Sequence, residues 1–410
     1  MVRRAGLIAP AALLCVIFVY ACSSSEDPAS PTSATAAGSG GSSSSSTSSS
    51  SSGSGGVDTA VPYTPEGCDY VVSAPDNVEA SRGGDIVGAS PAPDHIHVGL
   101  AGPTASGFAI NWRTDTETTV TEILYGPDEA EVAAATSAGG TVLSQRGHTM
   151  LYSSVLDGVD ATRVHEVHVC GLAPSTRVYY KVGGGSSWSE VFDASTGPAV
   201  GSTEPIRFAV LGDSRDDPEV FAEIQEQIGA SAADFQLFTG DAVQTGLRQS
   251  DWNAFFEAKG AVNGAAGVLA RIPLMMSNGN HDALAVNYLA QFALPQDLSE
   301  GETGGGEEWY SFDYGNVHVV ILNDTTTNST IEGGVERDFL EADLAAVDRA
   351  KTPWIFAVHH RPLYSCSNHG SDEGIRADWQ PLYDKYEVDI VFNGHDHNYE
   401  RSFPIRGLSG

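Results

Sequence analysis

The sequence contains few cysteines and few basic residues. Its five cysteines form no Cys-x-x-Cys pair, which excludes a cysteine-rich zinc site and a dense disulfide framework. Lys and Arg number 21 against 53 Asp and Glu, for a formal net charge of −32. Because so acidic a chain repels phosphates, we exclude nucleic acid as a partner bound through bulk charge. Any metal must then be held by histidines, carboxylates and amides.

The amino-terminal apolar run is too short for a membrane-spanning helix. It covers residues 7–21, about 15 residues against the ~20 that a bilayer requires, and two arginines precede it. This pattern predicts a secretory signal over residues 1–22. The run ends in Val-Tyr-Ala-Cys, which resembles a bacterial lipobox, so we expect Cys22 to carry a lipid that anchors an exported cell-envelope protein to a membrane. An ordinary signal cleaved nearby is the alternative.

Length and composition divide the rest of the chain. At roughly 100–200 residues per domain, 410 residues predict two or three domains. Residues 23–56 are almost entirely Ser, Gly, Ala, Thr and Pro, a composition typical of a flexible spacer. Residues 57–90 are expected to form an extension packed on the next domain. Cys68 in this extension and Cys170 are candidates for a disulfide outside the cytosol, which their spacing alone does not establish.

Short strand-like runs occupy residues 91–199. Runs such as Phe108–Trp112 and Val164–Cys170 are separated by clusters of Gly, Pro, Asp and Ser. This alternation predicts an all-β sandwich. The segment Leu172–Tyr180 resembles the strand-corner sequence of fibronectin type III domains. We expect this domain to be a scaffold.

The pattern changes over residues 203–410, where apolar strands alternate with helical stretches. A helix is predicted over residues 335–350, because its apolar residues recur at helical spacing and Pro353 prevents its continuation. A strand follows at once from Trp354 to Val358. Such alternation predicts an α/β architecture.

Five polar clusters each follow a strand-like run. In chain order they are Leu211–Arg215, Thr239–Asp241, Gly279–Asp282, His359–Pro362 and Gly394–His397. Open α/β sheets collect their ligand-binding groups at this position. Each cluster alone is weak support, since Gly-Asp and Gly-Asn-His sequences are often ordinary turns. Together they predict a site for ions such as Mn, Zn or Fe, which carboxylates, amides and imidazoles bind.

With these clusters in this order, the sequence resembles the calcineurin-like metallophosphoesterases and, within them, the purple acid phosphatases. The resemblance runs from about His95 to Arg401 and includes the stretches Ser311–His318, Leu344–Trp354 and Gly394–Arg401. It implies a fibronectin type III-like all-β sandwich followed by an α/β metallophosphoesterase domain, which is an α-β-β-α sandwich. It also implies a pair of metal ions.

The resemblance implies six metal ligands, of which two bind the first ion, three bind the second and one bridges both: Asp213 and His397; Asn280, His360 and His395; and Asp241. His359 and His360 compete for one role. The family pattern His-x-Pro-x-Tyr fits His360, and strand alternation points the two side chains to opposite faces. We expect divalent Mn, Zn or Fe, and an iron-containing pair is the variant that the family uses.

The resemblance also implies residues that contact substrate. His281 is expected to bind phosphate or to protonate the leaving group, with Asp282 supporting its charge. A histidine that only supports the ligands is the alternative. His369 matches one of two histidines over the substrate, and Gly370 occupies the place of the other.

The sequence departs from the family at the first ion. Gln244 stands where purple acid phosphatases have an iron-binding Tyr, and Arg215 stands where other metallophosphoesterases have a His. We therefore expect a protein without purple colour, in which water or Gln244 completes the coordination. Arg215 is expected either to reach the substrate phosphate or to pair with Asp216 or Asp217.

A second departure is length. The chain ends at Gly410, soon after Gly394–His397, whereas relatives continue into further strands. Either the sequence is a fragment or the sheet is shortened. Missing strands would leave a hydrophobic edge open, and we then expect poor solubility.

The favoured hypothesis is a phosphatase that hydrolyses phosphomonoesters, with metal-bound hydroxide attacking phosphorus. A phosphodiesterase or nucleotidase of the same superfamily is one alternative. A non-catalytic, surface-binding lipoprotein is another. The sequence predicts no oligomeric state.

Overall fold

A computed structural model describes residues 16–17, 60–154, 156, 161–215, 217–259, 264–296, 306–325 and 334–407. Apart from strand β1 (Val16–Ile17), the predicted signal, the lipidation site Cys22 and the spacer over residues 23–56 lie outside the described residues. No described helix is both long and apolar enough to cross a bilayer.

The first half of the described chain is a β-sandwich. Its strands are β2 (Glu79–Arg82), β3 (Asp94–Gly99), β4 (Phe108–Thr114), β5 (Glu122–Gly126), β6 (Leu143–Arg146), β7 (His148–Tyr152), β8 (Thr162–Val169), β9 (Arg177–Gly184), β10 (Ser187–Trp188) and β11 (Phe192–Ser195), with helix α1 (Glu129–Ala134) after β5. One antiparallel sheet has the order β2-β7-β8-β4-β3. The other has the order β10-β9-β5-β6, with β11 also paired to β9. The predicted all-β sandwich is confirmed.

A disulfide ties the extension to the sandwich. Cys68 bonds Cys170, the residue directly after β8. Tyr70 strengthens the same contact, since its hydroxyl lies 2.9 Å from Nδ1 of His168. The extension therefore packs on the sandwich, as expected.

The second half is an α/β domain with two sheets. Its strands are β12 (Phe208–Leu211), β13 (Phe235–Phe238), β14 (Leu274–Met276), β15 (Tyr310–Tyr314), β16 (Val317–Ile321), β17 (Trp354–Val358) and β18 (Ile390–Phe392). Its helices are α2 (Pro218–Ser231), α3 (Gln249–Phe256), α4 (Gly264–Leu269), α5 (Val286–Leu289), α6 (Val335–Ala346) and α7 (Glu373–Tyr386). The sheet orders are β1-β12-β13-β14 and β15-β16-β17-β18. Among the strands described in these two sheets, β15 alone pairs with its neighbour antiparallel.

Side chains alternate between two cores along the second sheet. Phe356 of β17 packs 5.4 Å from Phe208 of β12, ring centroid to centroid, so the two sheets stack face to face. Ile355 belongs instead to a core that includes Leu340 of α6 and Trp379 of α7. This alternation is the period of two that a strand imposes. The α-β-β-α sandwich is confirmed.

Local sequence explains where the helices begin and end. The side chain of Asp217 accepts a hydrogen bond from the Val220 N–H at the start of α2, and Asp372 caps α7 in the same way. Helix α6 was predicted over residues 335–350 but ends at Ala346. The chain turns earlier because the Asp348 carbonyl accepts hydrogen bonds from the N–H groups of Lys351 and Thr352.

The two domains share one hydrophobic core, which includes Trp112 of the sandwich and Phe235 of the α/β domain. Polar contacts also cross the boundary. The Tyr180 hydroxyl donates to the Ala270 carbonyl at 2.5 Å, and the Thr104 hydroxyl donates to the Asp313 carbonyl at 2.6 Å. The sandwich therefore buttresses the first sheet of the α/β domain.

Strand β18 lies at the edge of its sheet. Ile390 in this strand is exposed, and the described residues 393–407 form no helix or strand. Phe403 is 90% exposed. The shortened sheet and the poor solubility stay predictions.

Candidate metal centre

The carboxyl ends of five strands bring the predicted ligands together. Asp213 follows β12, Asp241 follows β13 and Asn280 follows β14; His360 follows β17, and His395 and His397 follow β18. These five strands run parallel to their neighbours among them, so their carboxyl ends meet on one side of the domain. The polar clusters that follow the strands in the sequence therefore lie close together in the structure.

The backbone at the centre is strained. Asp213, Asp241, His395 and His397 have φ values of 54°, 56°, 74° and 50°, in the left-handed region that side chains disfavour. Such conformations cost of order 1–3 kcal/mol each and concentrate at functional sites. Four of the six predicted ligands share this strain, which the sequence pattern did not reveal.

Glycines allow the strained loops to approach one another. A Cβ at Gly279 would lie 2.3 Å from Oδ1 of Asp241, and one at Gly394 would lie 2.4 Å from Oδ2 of Asp213. Both distances are shorter than real contacts, so these positions require glycine. The cradle is therefore built for two carboxylates held close to backbone.

Four donor atoms converge at the second subsite, which we define as Asp241, Asn280, His360 and His395. The Nδ1 of His360 lies 2.8 Å from the Thr239 carbonyl, which fixes Nδ1–H as a donor and leaves Nε2 facing the centre. From this Nε2, Asn280 Oδ1 lies at 3.1 Å, His395 Nδ1 at 3.2 Å and Asp241 Oδ2 at 3.4 Å. A buried imidazole oriented by a carbonyl is the usual arrangement of a metal-binding histidine.

The first subsite consists of Asp213, Asp241 and His397. One ligand atom from each lies within 4.8 Å of the other two, as is also true of Asp241, His360 and His395. Asp241 is thus common to both trios, as the predicted bridging ligand requires. The His397 Nε2 is 3.5 Å from Asp213 Oδ1, and this imidazole is 27% exposed. The donor types and the cradle fit a pair of metal ions.

Electrostatics also favour cations here. Burial raises the pKa of Asp213 to about 7. Burial alone would raise the pKa of Asp241, but the hydrogen bond and charge of His360 hold it well below its usual range. Burial would lower the pKa of His360, yet Asp241 raises it to about 10. Burial, followed by the charge of His360, lowers the pKa of His395 to about 4. Negative charge in this cluster therefore stabilises a positive neighbour, either a proton or a metal ion.

Arg215 also points into the centre. Its Nη1 lies 3.4 Å from Asp241 Oδ2, and its side chain is 6% exposed. The carboxylate of Asp217 instead caps α2, and Asp216 lies outside the described residues. The sequence alternatives for Arg215 omitted its contact with Asp241.

The role predicted for Asp282 needs correction. Its carboxylate turns inward and accepts hydrogen bonds from the backbone N–H groups of Gly279, Asp241, Ala242 and Val243 at 2.8–3.3 Å. The Nδ1 of the His281 ring lies 2.8 Å from the Gln244 carbonyl instead. Asp282 therefore positions the loop after β13 and does not support the charge of His281.

Three histidines of the predicted site are not assigned as ligands: His369, His281 and His359. The His369 ring lies 4.3 Å from the His395 ring, centroid to centroid, and is exposed beside the second subsite. His281 joins the centre through its backbone N–H, which donates to Asp241 Oδ1 at 2.8 Å. His359 lies on the opposite face from His360, against the edge of Trp379. The choice of His360 over His359 thus agrees with the geometry.

Sequence reasoning missed Asp324. Its Oδ2 lies 3.3 Å from Nδ1 of His359 and accepts a hydrogen bond from the Arg361 N–H. It therefore positions the loop that carries His360. The signal was present, since Asp324 follows the apolar run of β16 in the same way as the five clusters follow theirs.

Comparisons with known proteins agree with this geometry. The calcineurin-like phosphoesterase family matches residues 206–399, and the N-terminal domain of purple acid phosphatases matches residues 93–196. Purple acid phosphatase 23 of Arabidopsis thaliana is 30% identical over 366 residues, covering 75% of this chain and 74% of that protein. The solved structure of purple acid phosphatase PPD1 from yellow lupin seeds shares the fold, with a TM-score of 0.61 at 20% identity, covering 74% of this chain and 58% of that one.

A bacterial relative is similar as well. An uncharacterized protein of Mycobacterium tuberculosis is 29% identical over 360 residues, covering 78% of this chain and 64% of its own length. The chain thus spans slightly less than two thirds of that relative. From the matched families and the relatives of similar sequence, the chain belongs to the purple acid phosphatase family of calcineurin-like phosphoesterases.

Proposed function

We propose that this protein is a phosphatase with a binuclear metal centre that hydrolyses phosphomonoesters. The observation that carries the proposal is the convergence of six donor side chains: two trios that share Asp241, and Asn280 beside His360. Family membership implies a binuclear metal centre. The donor types present here support divalent Mn, Zn or Fe.

The reaction breaks the bond between phosphorus and the leaving alcohol by in-line attack of hydroxide. Two bound ions would supply the positive charge that neutralises phosphate oxygens and favours ionisation of water. Asp241 would hold both ions, and the hydrogen bond from the His281 N–H to its Oδ1 orients it. His281 and His369 are accessible beside the centre, where their ring nitrogens can donate to phosphate or to the leaving oxygen.

The proposed ions are both divalent. Gln244 replaces the expected Tyr, and its side chain is exposed, so no tyrosinate is available at this position. We expect the metal-loaded protein to lack an intense visible charge-transfer band. Such a band in iron-loaded protein would contradict this part of the proposal.

The decisive experiment is metal-dependent hydrolysis of a chromogenic phosphomonoester. The purified protein, loaded with Mn, Zn or Fe, is compared with Asp241→Asn and with Asp343→Asn, whose carboxylate contacts His318 away from the centre. We expect turnover that Asp241→Asn abolishes and Asp343→Asn retains. Equal turnover in Asp241→Asn, or turnover without metal, would contradict the proposal.

Substrate class is tested in the same assay with a chromogenic phosphodiester. Faster hydrolysis of the diester would favour the phosphodiesterase alternative. Folded, metal-loaded protein that hydrolyses neither ester would favour the non-catalytic alternative.

The cell-envelope location is also a proposal. It predicts that Cys22 is lipidated, so cells expressing Cys22→Ser should release the protein from the membrane fraction. Equal membrane association of both proteins would contradict it.

A further inference from the structure

The two halves of the centre differ in the charge that surrounds their shared carboxylate. Asp241 Oδ1 accepts a hydrogen bond from the His281 N–H at 2.8 Å, which leaves Oδ2 as the oxygen available to a cation. His360 Nε2 approaches Oδ2 to 3.4 Å from the second subsite. Arg215 Nη1 also approaches Oδ2 to 3.4 Å, and only 6% of its side chain is exposed. A guanidinium therefore shares the bridging oxygen.

Donor atoms are distributed unequally between the subsites. The second subsite has three donors of its own, from Asn280, His360 and His395. The first subsite has Asp213 and His397 of its own. The first subsite thus has fewer donors, and the charge of Arg215 also acts on its Asp213, whose pKa burial raises and Arg215 lowers.

Arginine stays protonated at every pH at which proteins are folded, so its charge cannot be relieved by losing a proton. A divalent ion on Oδ2 would face this charge in a buried setting, where screening is weak. The guanidinium also occupies a lone pair of Oδ2 that such an ion needs. Both effects weaken the binding of any ion that depends on Oδ2. The loss is larger at the first subsite, since the second subsite has three donors of its own.

We propose that Arg215 makes the metal centre asymmetric, so that the second subsite binds a divalent ion at least tenfold more tightly than the first. This inference rests on the proposed binuclear centre. The inference assigns Arg215 a positioning role. Through its contact with Asp241, Arg215 determines which subsite binds an ion first.

The test measures metal content. Purified, metal-free full-length protein is dialysed to equilibrium against buffers of increasing free Mn²⁺, and bound Mn is measured by mass spectrometry. The unmodified protein should bind one ion, then a second at a free Mn²⁺ concentration at least tenfold higher. In Arg215→Gln the free Mn²⁺ concentrations of the two binding steps should lie closer together. In Arg215→His, which adds an imidazole, the two steps should merge into one.

Arg376→Gln is the matched control, since the Arg376 guanidinium pairs with Glu373 at 3.2 Å and lies over the Tyr364 ring, not against Asp241. Its two steps should stay at least tenfold apart. Near-UV circular dichroism verifies folding of each variant, and Arg215→His decides the outcome if Arg215→Gln does not fold.

Three outcomes would overturn the inference. Two ions bound with equal affinity by the unmodified protein would overturn it and leave the proposed phosphatase intact. An unchanged separation in folded Arg215 variants would do the same. Protein that binds no Mn²⁺ at either step would overturn the proposed binuclear centre for this ion and the inference with it.

Discussion

The β-sandwich and the metal centre both bury histidines, but the two regions differ in what the ring nitrogens of those histidines contact. In the sandwich, His168 places Nε2 2.8 Å from the Glu166 carboxylate and Nδ1 2.9 Å from the Tyr70 hydroxyl. Both nitrogens of this ring have permanent partners. In the centre, His360 Nε2 instead faces His395 Nδ1 at 3.2 Å. Two imidazole nitrogens that face each other are poor permanent partners and good ligands for one cation.

The location of the residues along the strands explains this difference. His148 and Glu166 are directly paired within strands β7 and β8, so regular pairing determines their contacts. His395 and His397 follow the end of β18, in backbone with positive φ. A residue within a strand has the next strand as its neighbour, whereas residues beyond the strand ends are free to converge. Burial of a histidine alone therefore does not predict a metal site.

The largest effect is expected from His360→Ala. Loss of a ligand at the second subsite should lower metal-dependent kcat/KM by at least ~10³-fold, since the ion there would be lost. The measurement is bound metal together with turnover of a chromogenic phosphomonoester, and thermal unfolding verifies the fold. A folded variant that retains two ions and full turnover would place His360 with the sandwich histidines.

Glu166→Gln should produce the opposite pattern. The buried Glu166 carboxylate contacts Asn111 and His168, and hydrogen bonds to a charged group contribute about 2 kcal/mol, so the free energy of unfolding should fall by about this amount. Bound metal and KM should not change. Glu79→Gln, at an exposed position of the same sheet, is the control, and urea unfolding is the measurement. Loss of bound metal from folded Glu166→Gln would show that the sandwich histidines and the metal centre do not act independently.

His318 tests whether a histidine of the α/β domain can behave like those of the sandwich. Its ring lies between Asp313 at 2.8 Å and Asp343 at 2.9 Å. Burial would lower the pKa of His318, but hydrogen bonds to these carboxylates raise it to about 9. The folded pKa exceeds the unfolded one, so the stabilisation is complete below about pH 6.5 and is lost as pH rises to about 9.

The protein should accordingly lose on the order of 3 kcal/mol of stability over this pH interval, and His318→Gln should not lose it. Urea unfolding at a series of pH values measures the difference. Parallel pH profiles of both proteins would show that His318 does not titrate in this way.

The smallest effect is expected from His369→Gln. Because this ring lies beside His395 without being a predicted ligand, we expect a roughly tenfold fall in kcat/KM with unchanged bound metal. Asn368→Gln, at the neighbouring exposed position, is the control. Loss of an ion from folded His369→Gln would assign His369 to the ligands instead.

The sequence predicted most of the fold and the location of the site. Strand-length runs predicted the sandwich, helical and strand patterns predicted the α/β domain, and the polar clusters after apolar runs predicted where ligands collect. The family pattern His-x-Pro-x-Tyr, together with strand alternation, was sufficient to choose His360 over His359. These features depend on local periodicity, which the sequence carries directly.

Other features depended on distant contacts. Asp282 follows Asn280 and His281 in sequence, but its carboxylate binds the backbone of the loop after β13, about 40 residues away in the chain. The position of Asp324 after β16 marks it as a candidate, but its partner His359 follows a different strand, β17. No local pattern specifies such a partner, because it depends on how strands pair and sheets stack.

The sequence by itself determined the family, the order of the domains and the residue types available to bind metal. Only the tertiary structure decided that Asp213, Asp241, His395 and His397 adopt positive φ, and that Arg215 lies against Asp241. The physical reason is that local interactions select helices and strands, whereas the geometry of a site is set by packing between segments far apart in the chain.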